Sequence, residues 1–202
     1  MAEDLEFGFD EKTEEGKDFN FIVVTKEDSI RNGINFKDFV VGKWDDGQPF
    51  LEVTVQDKTG KTASGRYSLA KDDGTDEDKK KKVTKIQAIV KNFATKVLGE
   101  NAKLSGTSLQ DFFEKAVAAI KAKPGWNKVD LTAMFIHDKN GYTKLRSFSP
   151  IVELTSNKEK VSKLQYAQFE LDGFVEKKTP NKEEDIPFNT ENTGTEETKL
   201  FE

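Results

Sequence analysis

The chain has 202 residues, of which 35% are hydrophobic and 34% charged, an apolar share below and a charged share above the globular average, as expected of one ordinary domain carrying poorly packed segments. It has no cysteine and one histidine, His137, which excludes disulfides, a thiol nucleophile, thiolate-held zinc or iron–sulfur centres and any multi-histidine metal site. The formal charge of −5 is unevenly spread: residues 1–20 carry −6, residues 179–202 carry −5, and the body between them carries +6.

Residues 1–18 have few periodic apolar positions and read as a flexible acidic arm, with Phe7 and Phe9 as exceptions able to dock or stick. Phe21-Ile-Val-Val24 is short, apolar and β-branched, which predicts a strand. Phe36–Trp44 and Pro49–Gln56 flank Asp45-Asp-Gly-Gln48, a hairpin signal. In the second run Leu51, Val53 and Val55 alternate with Phe50, Glu52, Thr54 and Gln56, so the first set should face a core and the second should face out. Asp57-Lys-Thr-Gly60 then turns the chain into a strand near Thr62–Leu69, completing a three-stranded meander.

Residues 71–82 (KDDGTDEDKKKK) contain no apolar residue and predict an exposed loop. Val83, Ile86, Ile89, Val90, Phe93, Val97 and Leu98 then fall at helical spacing, with Gly99 as the stop. A second helix starts at Ser108, an N-cap with Asp111 three residues on. Its apolar stripe is Leu109, Phe112, Phe113, Ala116, Val117 and Ile120, and Pro124-Gly125 ends it. Lys128–His137 returns to period two with apolar residues on both faces, the pattern of a central strand. Asp138-Lys-Asn-Gly141 is the strongest turn of the chain, and Tyr142–Phe148 is its return strand. Residues 161–176 fit either a strand or a short closing helix, and the tail begins near Lys178. The expected architecture is mainly β with a helical insertion (α+β): a small antiparallel barrel over residues 19–178, two amphipathic helices inserted at about 83–122, an arm at 1–18 and an acidic tail at 179–202.

Several chemistries fail on spacing. Gly60-Lys61-Thr62 lacks the earlier glycine of a phosphate loop, having Val55 there, and is followed by a strand rather than a helix. The acids Asp72, Asp73, Asp76, Glu77 and Asp78 lack the glycine and glutamate positions of a calcium loop. His137 sits alone at a strand end, and no nucleophile elbow or zinc-protease motif occurs. The expectation is a protein without catalytic residues, metal or cofactor.

A binder of single-stranded nucleic acid needs cations along a groove for phosphates and aromatic faces for unstacked bases. The strands interleave both: Lys43, Trp44 and Phe50 in the first hairpin, Lys61, Arg66 and Tyr67 in the third strand, Trp126 and Lys128 before the late hairpin, and Tyr142, Lys144, Arg146 and Phe148 within it. Tyr67 fits a core position equally well. Phe50 shares the outward face with Glu52, Thr54 and Gln56, where an aromatic with a structural role is least expected.

The segment GINFKDFVVGKWDDGQPFLEVTVQDKTGKTASGRYSL, the helix pair, and VDLTAMFIHDKNGYTKLRSFSPIVEL together resemble phage-type single-stranded-DNA-binding proteins with an OB fold, over roughly residues 30–155. The tail adds Glu183-Glu184-Asp185-Ile186-Pro187-Phe188, which is similar to the acidic tip of bacterial single-stranded-DNA-binding proteins. In that family the tip recruits replication and repair enzymes, its phenylalanine entering an apolar pocket ringed by basic residues. The family's phenylalanine is the last residue, whereas 14 residues follow Phe188 here and the sequence closes on Leu200-Phe201-Glu202. Which phenylalanine docks is therefore open. The resemblance implies an OB-like barrel that binds single-stranded DNA in a virus-type replication or recombination system, with replication and repair proteins as tail partners. The acidic N-terminal residues and the lack of a long apolar run lead us to expect a soluble protein of the (host) cytoplasm with no membrane partner. Two rivals remain at this level: a protein-binding module on the same barrel, and a nuclease using carboxylates and magnesium.

Overall fold

The computed structural model describes residues 20–69, 75–156 and 162–174. The arm and the tail, including Glu183 to Phe188, Leu200 and Phe201, lie outside the described residues. Strands β1 (Ile30–Lys43), β2 (Pro49–Gln56) and β3 (Thr62–Ser68) form the antiparallel meander that the two turns call for. Leu51, Val53 and Val55 are buried, while the residues between them are partly exposed on the opposite face. Helices α1 (Asp76–Leu98) and α2 (Leu109–Ala122) follow, then β4 (Leu131–His137), β5 (Thr143–Leu145), β6 (Val152–Leu154) and the short helix α3 (Gln168–Asp172). The strands make one six-stranded antiparallel sheet of order β3-β2-β1-β4-β5, with β6 beside β4. The fold is thus α+β and mainly sheet. β4, apolar on both faces, is central and pairs with β1, β5 and β6.

Four expectations about individual elements need correction. β1 begins at Ile30 rather than Phe36, because register shifts between Arg31 and Ile34 and between Phe36 and Asp38 interrupt its period of two. The loop expected at 71–82 is helical from Asp76: Thr75 and Asp78 form a capping box, and acids in the first turn suit the helix dipole. The late strands are shorter than expected, since Trp126–Lys128 forms a 3₁₀ turn and the return strand stops at Leu145, before Arg146 turns inward. Phe21–Val24 makes a single parallel bridge, Phe21 to Thr62, instead of a ladder. Of the 161–176 region, the described residues 162–174 include the short helix α3 (Gln168–Asp172), the helical alternative.

The sheet does not close into a barrel. β3 and β5, its two ends, share no ladder, and a strand of three residues offers little edge to pair. The 20–24 segment lies between these ends. Ile22 N–H donates to Thr62 O (2.8 Å) and Val24 N–H to Thr143 Oγ1 (3.3 Å). Further along, Tyr67 Oη donates to Arg146 O (3.0 Å), so a side chain spans the gap where backbone bonds do not.

The core lies between the inner face of the sheet and the two helices. Phe36, Phe39 and Phe93 pack at centroid distances of 4.9–6.3 Å with Tyr67 5.5 Å from Phe93, and each fully buried phenylalanine contributes about 1.5–3 kcal/mol. Ile86, Ile89, Val90, Phe93 and Val97 form the buried stripe of α1. Asn92 fastens that helix to the sheet: its Oδ1 accepts from Ile151 N (2.8 Å) and Val152 N (3.0 Å), and its Nδ2 donates to Val152 O (3.1 Å). Ser108 caps α2 by accepting from Asp111 N (3.1 Å). Among the described residues no helix is long and apolar enough to cross a membrane.

Candidate nucleic-acid interface

The outer face of the first hairpin carries an aromatic pair. Trp44 follows β1 at the turn, its N–H donating to Gln48 O (2.9 Å), and its ring lies 4.8 Å from that of Phe50. In the β1–β2 register Phe50 faces Gly42. A Cβ at that glycine would stand 2.3 Å from Phe50 Cζ, so the missing side chain is what lets the ring lie across β1. Arg66, opposite Glu52 in the β2–β3 register, pairs with its carboxylate and holds its guanidinium 5.7 Å from the Trp44 ring centre and 5.4 Å from that of Phe50. A cation over exposed rings is worth about 0.5–1 kcal/mol.

Beside this cluster two clefts that share Ser64 follow β3 toward β5 as a trough. The first, about 400 Å³, is lined by Trp44, Arg66, Lys144, Asp138 and Ser147 over a floor of Ser64 and Gly65. The second, about 730 Å³, lies between Phe21, Val23 and Tyr142, with Glu52, Thr54, Ala63 and Ser64 from β2 and β3. Ser64 lines both. The two cations of the trough, Arg66 and Lys144, meet two carboxylates. Glu52 is engaged by Arg66, and Asp138 accepts backbone N–H groups of Tyr142 (2.9 Å) and Asn140 (2.8 Å). These amide bonds, that of Tyr142 foremost, hold the Asp138 carboxyl below the usual aspartate value.

Trp44, Phe50, Arg66, Lys144 and Tyr142 are therefore together on one face. Seven other sequence candidates are not. Tyr67 is 3% exposed, its ring in the core and its hydroxyl spent on Arg146 O; burial pushes its ionisation upward, and it offers no stacking face. Arg146 is also 3% exposed. It binds Glu170 through Nε (2.8 Å) and Nη2 (2.6 Å) and donates to Pro150 O and Gln165 O, so four of its five donors are engaged inside and the buried head presents no phosphate site. Phe148 lies under that guanidinium (4.0 Å) and 5.8 Å from Phe169. Trp126 packs on Phe39 (5.8 Å) at the edge of the core, with Lys128 exposed in the same turn. Lys43, opposite Pro49, is on the strand face away from Phe50, and Lys61 is exposed at the turn before β3.

Sequence reasoning missed Phe21 and Val23 as surface residues. The signal was the period of two within a four-residue apolar run, too short to show which pair faces out. His137 is held in the fold: Nε2–H donates to Val24 O (2.9 Å), and the ring packs on Phe174 (4.9 Å). Among the described residues no three potential metal ligands come together. Comparison with known proteins finds no protein-family model and no curated protein that matches this chain.

Proposed function

We propose that this protein binds single-stranded DNA with little sequence preference, protecting it during virus-type replication and recombination, and that its open sheet is an OB-like barrel parted between β3 and β5. The observation that carries the reading is the Trp44–Phe50 pair held under Arg66 at the mouth of an open trough. Bases stack on the rings in any sequence, because every base has a π-face. Arg66 and Lys144 neutralise phosphates, Arg66 exchanging Glu52 for a phosphate oxygen. In the same reading the acidic tail recruits replication and repair enzymes through Ile186-Pro187-Phe188 or Leu200-Phe201, the protein works in the host cytoplasm, and no catalytic step is assigned to it.

Titration with oligo-dT and with duplex tests this. Binding of oligo-dT should quench tryptophan fluorescence, weaken as salt rises and exceed duplex binding; equal affinity for duplex and single strand overturns it. One observation favours a second reading, a protein-binding face: the trough balances its two cations with two carboxylates. That reading expects no oligo-dT binding at low salt and a partner protein on the same face.

A further inference from the structure

We propose that Phe21, with Val23 and Tyr142, forms a second nucleobase-binding station at the other end of the trough from Trp44 and Phe50. It rests on the single-strand reading and names where the strand goes: along the outer faces of β2 and β3, from one aromatic group to the other.

The 20–24 segment is fixed from both sides. Thr62 N–H donates to Asn20 O (2.8 Å) and Ile22 N–H to Thr62 O (2.8 Å), while His137 Nε2–H donates to Val24 O (2.9 Å). These bonds set the alternation. Ile22 and Val24 are buried at 1% and 2%, and Phe21 and Val23 stand outward at 62% and 65% exposure. Neither can turn inward without turning a core residue out. Two large apolar side chains held in water beside Tyr142, itself 63% exposed, are the kind of patch that marks a binding site.

The space between them suits a base. The second cleft holds about 730 Å³, within the roughly 300–1,000 Å³ of small-molecule sites. Ala63 and Gly141 line it without filling it, and Thr54 and Ser64 bring hydroxyls. A hydroxyl both donates and accepts, so it meets the edge of any base, which fits sequence tolerance. Ser64 lines both this cleft and the one beside Trp44, with Arg66 and Lys144 lining the latter. The occupant argued for is thus the continuation of the same DNA strand.

Oligo-dT of about 4, 8 and 16 nucleotides spans the site sizes of single domains of this kind. Against these, Phe21→Ala should weaken binding about tenfold for the long oligomers, in line with the loss of one stacked base, and leave the shortest unchanged. Phe21→Trp should retain affinity and show fluorescence quenching with the long oligomers only. Trp44→Ala should weaken every length. Phe21 is exposed, so the melting temperature should hold in each Phe21 variant. Unchanged binding of Phe21→Ala at all lengths, with Trp44→Ala weakened, overturns the second station and leaves the single-strand reading intact. Absence of oligo-dT binding by the wild-type protein overturns both. If Phe21→Ala leaves DNA binding alone and instead turns a dimer into a monomer in sedimentation, the patch belongs to a second copy of this chain and the station is refuted.

Discussion

Phe50 lies flat because Gly42 lets it. A Cβ there would stand within 3 Å of three atoms of the ring, and the ring is the part that can move. Gly42→Ala should therefore displace Phe50 from Trp44 and Arg66 while keeping the fold. The expected result is about tenfold weaker oligo-dT binding, the loss of roughly one stacked base, with little change in melting temperature. Gly65 plays a similar part inside: its missing side chain leaves the space that Tyr67 Oη takes on its way to Arg146 O. Arg146 shows how a residue type misleads. A lone arginine in a lysine-rich hairpin reads as a phosphate contact, yet it is buried and four of its five donors go to Glu170, Pro150 and Gln165. Arg146→Met leaves Glu170 buried without its cation, and breaking such a pair costs about 3–5 kcal/mol. Calorimetry should show a large drop in melting temperature. Below the new transition, the salt dependence of oligo-dT binding should stay as in the wild type; a slope lowered by one phosphate contact counts against the buried role.

At the scale of elements, the helices were readable because their signals are local. Of the stripe read from Val83 to Leu98, the positions from Ile86 to Val97 are buried while Val83 is exposed, and the Ser108 cap stands where spacing put it. The start of α1 was not readable, because a run of acids and lysines has no apolar period; the capping box of Thr75 and Asp78 decides it instead. What fastens α1 to the sheet is also invisible in sequence. Asn92 is one polar residue on a helix until β6 is placed against it. Asn92→Leu strands the Ile151 and Val152 amides and the Val152 carbonyl, and each unsatisfied buried group costs about 1–3 kcal/mol. Denaturant unfolding should show the loss as a lower midpoint. A midpoint equal to wild type would mean that water replaces the asparagine.

For the whole molecule the governing quantity is charge. Residues 179–202 carry −5 and the body carries +6, so on the proposed single-strand reading the tail competes with DNA for the cations. Truncation after Lys178 should strengthen oligo-dT binding at low salt, and the advantage should shrink as salt screens the tail. Unchanged affinity across a salt series would refute the competition. The meander, the two inserted helices, the central place of β4 and the outward set on β2 followed from the sequence alone, because period, caps and turns act over a few residues. The tertiary structure decided the rest: that the sheet stays open between β3 and β5, that Tyr67 and Arg146 go inward, and that Phe21 comes to share a trough with Tyr142. Those outcomes depend on which edges meet across long stretches of chain. No local period records such a meeting, and a buried hydroxyl or guanidinium reveals its role only when its partner is in place.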